Sequence, residues 1–597
     1  GGGLLLSESG YSVVDGKGSD KGGIINVALN GTEYQSTEIV SSHGSALVLS
    51  SDNSTTDNRN LITLDQYSKI TNGDYLSAPT SAADTSSNFG NQWAVYAPDG
   101  YTNIINYGTI TGNILLGLNG TGDLTNYGTL NGLSYILANE SLHNYGVINA
   151  GLLGSASPLK IDGSLKHYAG GVINVGIDST DFDADNALIT VTGLARIEGE
   201  ITPKASTLTN GKEYHIISSG SLEHSGTVSD THLFDWSADV RGGNLVLSTI
   251  ADFTPEDFGL TANELNVAEY LQRSWDAQDD SLSTVFGYVH QHEIGAHEDY
   301  RNTLNEVSGW SYNIQAMQSS LAFHDSLFDA LKCMDTLGTS LASECAWVNI
   351  SYASGEQKGN AVTPSYEVNT HRNSIGGQFA SDKGWGIGFA FSQSDNTVNT
   401  RSLSSLGRFV DGSVSLSKRT GPWLIGGAVG FLFGDFESTR TAALEHNTLA
   451  GDFSDKYTSQ SDSSIFGSKL RAQYDFTSSN YFISPFLDID YSYQDTPEYR
   501  ESGLGPLGLI IHHNSVHNWA VRTGIKAGVT SNIGETTKAL VYVQADQLSM
   551  IDRTLGSPMR LNQSSLDVGV FESSIVQSGP LRSLILGVKI INNDKWQ

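Results

Sequence analysis

The residue types that metal or hydrolytic chemistry needs gather in one place, at His290, His292, Glu293, His297 and Glu298. A zinc-protease helix carries two histidines four residues apart, so that both imidazoles share one face beside a glutamate acting as general base. Here His292 and His297 are five apart, which turns the second ring well off the direction of the first. The expectation is a solvated helix face and no metal. The aspartates Asp178, Asp181, Asp183 and Asp185 lack the Gly and the closing Glu of a calcium loop, and they read as a solvated turn. No Gly-x-Ser-x-Gly elbow and no Ser/His/Asp set in a supporting context occurs. Neither catalysis nor a cofactor is therefore expected. Two cysteines remain, Cys333 and Cys345. Oxidised, they close a short loop that adds up to roughly 3 kcal/mol and suits an oxidising compartment; two free structural thiols are the alternative.

What positions these residues is a β-rich chain. With 597 residues the sequence is too long for one ordinary core, so at least two domains are expected. Sixty-five Gly against 12 Pro, with 25 Tyr and 21 Phe, favours repetitive β structure. The net charge of -31 argues against nucleic acid as a partner. A mean hydropathy of -0.21 is too low for a bundle of membrane helices. No run of about 18 apolar residues occurs, which leaves open a barrel, whose strands alternate polar with apolar residues. The chain opens on Gly1-Gly2-Gly3 without an initiator Met or a basic-apolar signal, and the expectation is a removed signal or a fragment.

In the first third a motif recurs: Ile105-Asn106-Tyr107-Gly108-Thr109-Ile110, Thr125-Asn126-Tyr127-Gly128-Thr129-Leu130, and His143-Asn144-Tyr145-Gly146-Val147-Ile148. Looser copies run from Gln66 to Gly73 and from His167 to Asn174. A spacing of roughly 20 residues suits stacked coils, because no single coil buries its own apolar positions. Each copy offers a short strand, an Asn-Tyr step, a Gly for a sharp corner and a β-branched strand. The Asn residues are expected to ladder along the stack. A β-sandwich with accidental Asn-Tyr-Gly hairpins is the alternative.

Strand-turn alternation continues through Asp185–Gly193, Ala195–Gly199, Gly211–Ile217 and Gly243–Ser248. This stretch resembles the passenger stem of bacterial autotransporters (type V secretion), which in that family acts as an autochaperone. From Pro255 the period becomes helical, with Leu265, Ala268 and Leu271, then Leu282, Val285 and Phe286, then Leu304 and Val307. The resemblance implies that the last helix threads a barrel lumen. It is placed at about residues 314–333, where Ala316, Ser320, Ser326 and Ala330 supply a small surface.

After Cys345 the period is two. Tyr481, Ile483, Leu487, Ile489, Tyr491 and Tyr493 oppose Ser484, Asp488, Asp490 and Ser492, and Trp519, Val521 and Ile525 oppose Arg522 and Lys526. Aromatics at strand ends, strands of ten or more residues and a polar face mixing charge with Gly and Ala favour a membrane barrel packed around a helix. Cys345-Ala346-Trp347-Val348, Ile375-Gly376-Gly377, Trp385–Gly388, Tyr481–Tyr493, Tyr499–Gly503 and Trp519–Gly528 resemble autotransporter barrel strands, in the family's order.

The expected architecture is all-β: a right-handed parallel β-helix passenger at 1–184, a stem at 185–250, a helical linker at 251–344, and an antiparallel transmembrane β-barrel at 345–597. About ten strands are placed against the family's twelve, so the natural protein is expected to continue beyond Gln597. Lys469, Arg471, Arg522 and Lys526 are expected to face the lumen, with Asp325 and Asp329 as counter-charges on the helix; simple hydration is the alternative. The resemblance implies an outer-membrane protein of a Gram-negative bacterium that exports and anchors its own extracellular passenger, with outer-membrane lipid and the barrel assembly machinery as partners. A passenger that is an adhesin for an unknown host or cell-surface ligand is favoured. The alternatives are an enzymatic passenger, a protease or esterase whose catalytic part is absent, and a soluble β-rich protein. Asn313 is followed by Ile314, so the Asn-Asn self-cleavage signature seen in the family is missing.

Overall fold

A computed structural model describes residues 26–592 except 30–36, 42–45, 49–59, 65, 67, 73–92, 99, 132–133, 153–157, 180–186, 293–296, 336–344, 360–364, 382, 444–453, 479, 504, 533–536, 552–553 and 577–578. Glu293, Asp181, Asp183 and Asp185, and both chain ends, lie outside the described residues. The chain divides into two compact units, Gly1–Pro255 with Gln272–Tyr300 and His446–Asp452, and Glu256–Leu271 with Arg301–Glu445 and Phe453–Gln597. The division thus falls inside the helical linker.

In the first unit successive coils stack their strands into two parallel sheets, and the earlier coils add a third strand, Trp93–Ala97 and Asn113–Leu116, that runs into Tyr135–Asn144. One sheet stacks Tyr101–Asn106, Thr121–Asn126, Tyr135–Asn144, Leu159–His167 and Ile189–Ile197, the other Thr109–Thr111, Thr129–Asn131, Val147–Ala150, Val172–Asp178 and Glu200–Thr207. Ile104, Leu124, Leu142 and Leu165 fill the interior from one side, and Ile110, Leu130, Ile148 and Ile173 from the other, all at 0–1 % exposure. The expected Asn ladder is present and buried: Asn106 Nδ2 donates to Asn126 Oδ1 and Asn126 Nδ2 to Asn144 Oδ1, both at 2.7 Å. The repeat glycines have a different cause from the one expected. Gly128 and Gly146 are not among the glycines with positive φ. A Cβ at Gly128 would instead lie 2.0 Å from the Gly108 carbonyl oxygen, and one at Gly146 would lie 2.2 Å from that of Gly128. Coil-on-coil approach, not corner geometry, excludes a side chain there.

The stem ends in an antiparallel pair, Phe234–Arg241 and Asn244–Ala251, paired in turn to Tyr214–His224. Its core is aromatic, with Phe234, Phe253, Trp275 and Phe286 meeting edge-on or tilted at 5.0–6.1 Å. Helices α1 (Ala262–Asp276), α2 (Ser283–His292), α3 (His297–Val307) and α4 (Ser311–Asp329) make up the linker.

The second unit is a curled antiparallel sheet of ten consecutive neighbours: β1 (Cys345–Gln357), β2 (Tyr366–Ala380), β3 (Trp385–Thr400), β4 (Leu403–Thr420), β5 (Trp423–Ala443), β6 (Ser454–Tyr474), β7 (Tyr481–Thr496), β8 (Asn514–Asn532), β9 (Thr537–Met550) and β10 (Leu581–Asn592). Among the described residues no pairing joins β1 to β10. Alternation holds: Ile425 is 60 % exposed outward and Leu424 2 % exposed inward. Outward apolar residues run from Trp423 to Phe433 on β5, about ten residues, or roughly 25 Å of height at barrel tilt. Beyond them Asp435, Glu437 and Thr439 take the outward positions. The two long connections, after β7 and after β9, pair with each other through Tyr499–Arg500, Leu509–Ile511, Thr554–Leu561 and Phe571–Val576, a four-stranded sheet that the sequence reading did not anticipate.

Candidate functional site

α4 lies along the inner face of the curled sheet, as expected, but spans Ser311–Asp329 rather than 314–333. Gly309, at φ 60°, ends the preceding segment and fixes the earlier start. A short 3-10 turn, Lys332–Asp335, replaces the predicted last turn. Most of the helix is buried, polar residues included. Its apolar residues pack against inward strand side chains, Phe323 and Leu327 in one cluster with Phe409, Leu424 and Ile465, Ile314 and Met317 in another with Val368 and Val398.

The wall receives the helix through glycines and serines. A Cβ on Gly388 would lie 2.4 Å from the Ala330 carbonyl oxygen, and one on Gly467 2.7 Å from the Phe323 ring. Ser413 Oγ donates to the Ser326 carbonyl at 2.9 Å and Ser415 Oγ to that of Ala330 at 2.7 Å, so the wall adds donors to carbonyls at the end of the helix, where backbone partners run out. Gln315 Nε2 donates to Ser405 and Ser438 at 2.9 and 2.7 Å. The sequence had suggested only that the inward face would be small and polar.

The predicted charges all point inward, but their pairing differs from the expectation. Arg522 meets Asp325 at 2.9 Å, as proposed. Lys469 instead pairs with Asp490 at 2.8 Å, and Arg471 grips Asp488 with two bonds of 2.7 and 2.8 Å, within the wall itself. Lys526 lies over the Tyr542 ring at 4.2 Å. Asp329 is held by Lys332 at 2.6 Å and Arg372 at 3.3 Å. Neighbouring strands thus supply counter-charges before the helix does, since adjacent residues on paired strands are closer than the lumen centre. Arg372 was missed. It donates to the Ala322 carbonyl at 3.1 Å and also reaches Ser392 and Asp411, yet it sits in a polar stretch, Asn369–Ser374, with no alternation to mark its face. Phe328 was also missed; the guanidinium carbons of Arg471 and Arg522 lie 4.4 and 5.3 Å from its ring.

Because the Asp325 side chain is 58 % exposed, its pair is worth no more than an exposed one, about 0.5–1 kcal/mol. R522D and D325R should each lower the urea midpoint of the folded barrel, and the double exchange should recover about that much of the sum. Strictly additive losses would contradict the pairing.

At the end of α4 nearest the long connections lies a second network. Arg440 and Glu501 are 1 and 0 % exposed and joined by two bonds of 2.7 Å. Tyr312 Oη, from α4, donates to Glu501 at 2.6 Å, and the Leu509 amide donates to it at 2.7 Å. Asn313 donates to the Ser573 carbonyl at 2.9 Å and accepts from Ser557 at 2.8 Å. α1 clips the same sheet: the Asn263 amide donates to and accepts from Ser574 at 2.7 and 2.9 Å. At the opposite end Cys333 and Cys345 are disulfide-bonded, tying the chain after α4 to β1.

The histidines of the cluster are divided between two helices. α2 ends at His292 and α3 begins at His297, so no single helix carries both. His290 is fully buried, contrary to the solvated face expected, with its Nε2 accepting from Trp236 Nε1 at 3.3 Å. Among the described residues no three His, Cys, Asp or Glu side chains converge as a metal site would need.

Residues 346–548 match the family model of the autotransporter beta-domain. Among solved structures the chain is similar to the translocator domain of the autotransporter NalP from Neisseria meningitidis, at 8 % identity over 46 % of this chain and 92 % of that one, TM-score 0.33. It is similar also to the beta domain of the Bordetella autotransporter BrkA, at 13 % identity over 41 and 98 % of the two chains, TM-score 0.27. No curated protein matches the chain.

Proposed function

We propose, on the premise that residues 346–548 form an autotransporter β-domain, that this protein carries its own coil stack across the outer membrane of a Gram-negative bacterium and displays it outside as an adhesin. The observation that carries this reading is α4, a buried helix of mixed polar and apolar residues lining the inner face of a sheet whose outer face is apolar. Such a helix inside such a sheet suits a pore left occupied by the chain that passed through it. Coils folding one on another outside the cell would oppose return, because each added coil buries apolar residues that its predecessor leaves uncovered. No catalytic residue and no cofactor enters this account. The passenger stays attached in this reading, since Asn313 is followed by Ile314 and the Asn-Asn pair is lacking.

In detergent the unboiled protein should migrate on gels as a compact species distinct from the boiled one. Identical migration before and after boiling would contradict a membrane barrel. Displayed cells should aggregate or attach to surfaces; hydrolysis of peptide or ester substrates without aggregation would favour an enzymatic passenger.

A further inference from the structure

The buried Asn column of the coil stack runs in one direction and ends on a histidine. Asn106 Nδ2 donates to Asn126, Asn126 Nδ2 to Asn144, and Asn144 Nδ2 to His167 Nδ1 at 2.9 Å. Each Nδ2 also donates to a backbone carbonyl: Asn106 to Thr129 at 3.4 Å, Asn126 to Gly128 and Val147 at 3.2 Å, and Asn144 to Gly146 at 3.1 Å. A rung that turned over would set its Oδ1 against those carbonyls, so the direction of the column is fixed. At the far end the Gly108 amide donates to Asn106 Oδ1 at 3.1 Å. An amide nitrogen only donates, so His167 Nδ1 must accept, and the ring is neutral with its proton on Nε2. Nε2 donates that proton to the Glu200 carbonyl at 3.2 Å. The ring is 1 % exposed and packs against the backbones of Gly171 and Gly199, where a Cβ would overlap it. One coil further the same position is Ile197, also buried, so the amide column stops at His167 and an apolar stem interior begins.

We propose that His167 is an acid-sensitive latch between the amide-laddered coils and the stem, holding them together while neutral and parting them when protonated. A proton on Nδ1 faces the Asn144 amide donor head-on, and the fixed column leaves that amide unable to turn. The Asn144 backbone carbonyl beside the ring already accepts from the Tyr168 amide at 2.9 Å. The carboxylates around the ring are engaged elsewhere: Glu198 with Arg196 at 2.8 Å, and Glu200 with the hydroxyls of Thr202 and Ser229. His143 bonds to Tyr168 Oη at 2.9 Å. Lys166, next in the chain, and His224, one coil beyond Ile197, supply no negative charge. Burial holds the imidazole below its ordinary 6.5, against the carbonyls of Glu200 and Asn144, which pull it up. Parted coils take up a proton below pH 6.5 that the joined coils refuse, so the junction is firm above 6.5 and weakens as pH falls. The latch works whether or not the stack is displayed on a cell.

Hydrogen exchange of the full chain in detergent, read by mass spectrometry at pH 7.5 and pH 5 and corrected for the intrinsic pH dependence of exchange, tests the latch. Protection across residues 141–150 and 159–175 should fall at pH 5 by up to roughly 30-fold, the ceiling set by a pKa of 6.5 in the parted state. His290→Leu protein should show the same fall. H167N should keep its protection at both pH values, since an asparagine there prolongs the column that Asn106, Asn126 and Asn144 begin. H167L removes the acceptor, and should be less protected than the parent at pH 7.5 without losing more at pH 5. Protection in the parent that does not change with pH would overturn the proposal. So would H167N or H167L protein that loses as much at pH 5 as the parent, or a fall that His290→Leu abolishes.

Discussion

Replacing Glu501 by Ala should destabilise the folded barrel by roughly 3–5 kcal/mol, the loss seen when one partner of a buried ion pair is removed. Glu501 accepts from Arg440 twice, from Tyr312 Oη and from the Leu509 amide. The substitution strands a guanidinium that is 1 % exposed and leaves a tyrosine on α4 without its acceptor. Removing both charges, with Arg440→Met and Glu501→Leu, should cost much less, because nothing charged then remains buried. The urea midpoint at which the compact gel species disappears measures both. Equal losses in E501A and the double variant would show that the pair itself does not anchor the helix and the long connections.

Acid should loosen the stem through His290. Burial pushes its imidazole down to about 3 from an ordinary 6.5, with Lys204 adding to the effect. The folded state holds the ring neutral, while the unfolded chain takes up a proton below pH 6.5. Stability is therefore fully present above 6.5, falls as pH drops, and stops falling near 3. At pH 5 the loss is about 2 kcal/mol, and across the whole window it is of order 5 kcal/mol. Nδ1 has no partner among the described residues, so no acceptor stabilises the cation. His290→Leu should flatten the stability profile between pH 6.5 and 4; a parent protein already flat over that range would contradict the assignment.

His290 shows why part of the structure was not legible in advance. It was read with His292 and His297 as a surface cluster, but Phe286 and Val289 beside it are buried, and the helical period already put His290 on that face. Periodicity was the better guide wherever it was strong. The Asn-Tyr-Gly repeats gave the coil stack and its Asn ladder, and in β7 the inward Ser484, Asp488 and Asp490 fell on the face predicted for them. What failed were pairings that depend on register between distant strands. Lys469 and Arg471 face Asp490 and Asp488 because β6 and β7 pair at that offset, which residue types alone do not specify. The sheet built from the two long connections was misread: Tyr499–Gly503, likened to a barrel strand, contributes Tyr499–Arg500 to this separate sheet, and that strand and Leu509–Ile511 are too short to show alternation.

The central claim is that the barrel holds its coil stack outside the cell. Single cysteines at Asn119, exposed on the coil stack, and at Lys383, in the turn between β2 and β3 at the opposite end of the sheet from the long connections, test it directly. With a membrane-impermeant maleimide on intact cells, Asn119→Cys should label fully, and Lys383→Cys should label only after the outer membrane is permeabilised. Labelling of Lys383→Cys on intact cells with Asn119→Cys protected, or of neither until the cells are broken, would contradict the account.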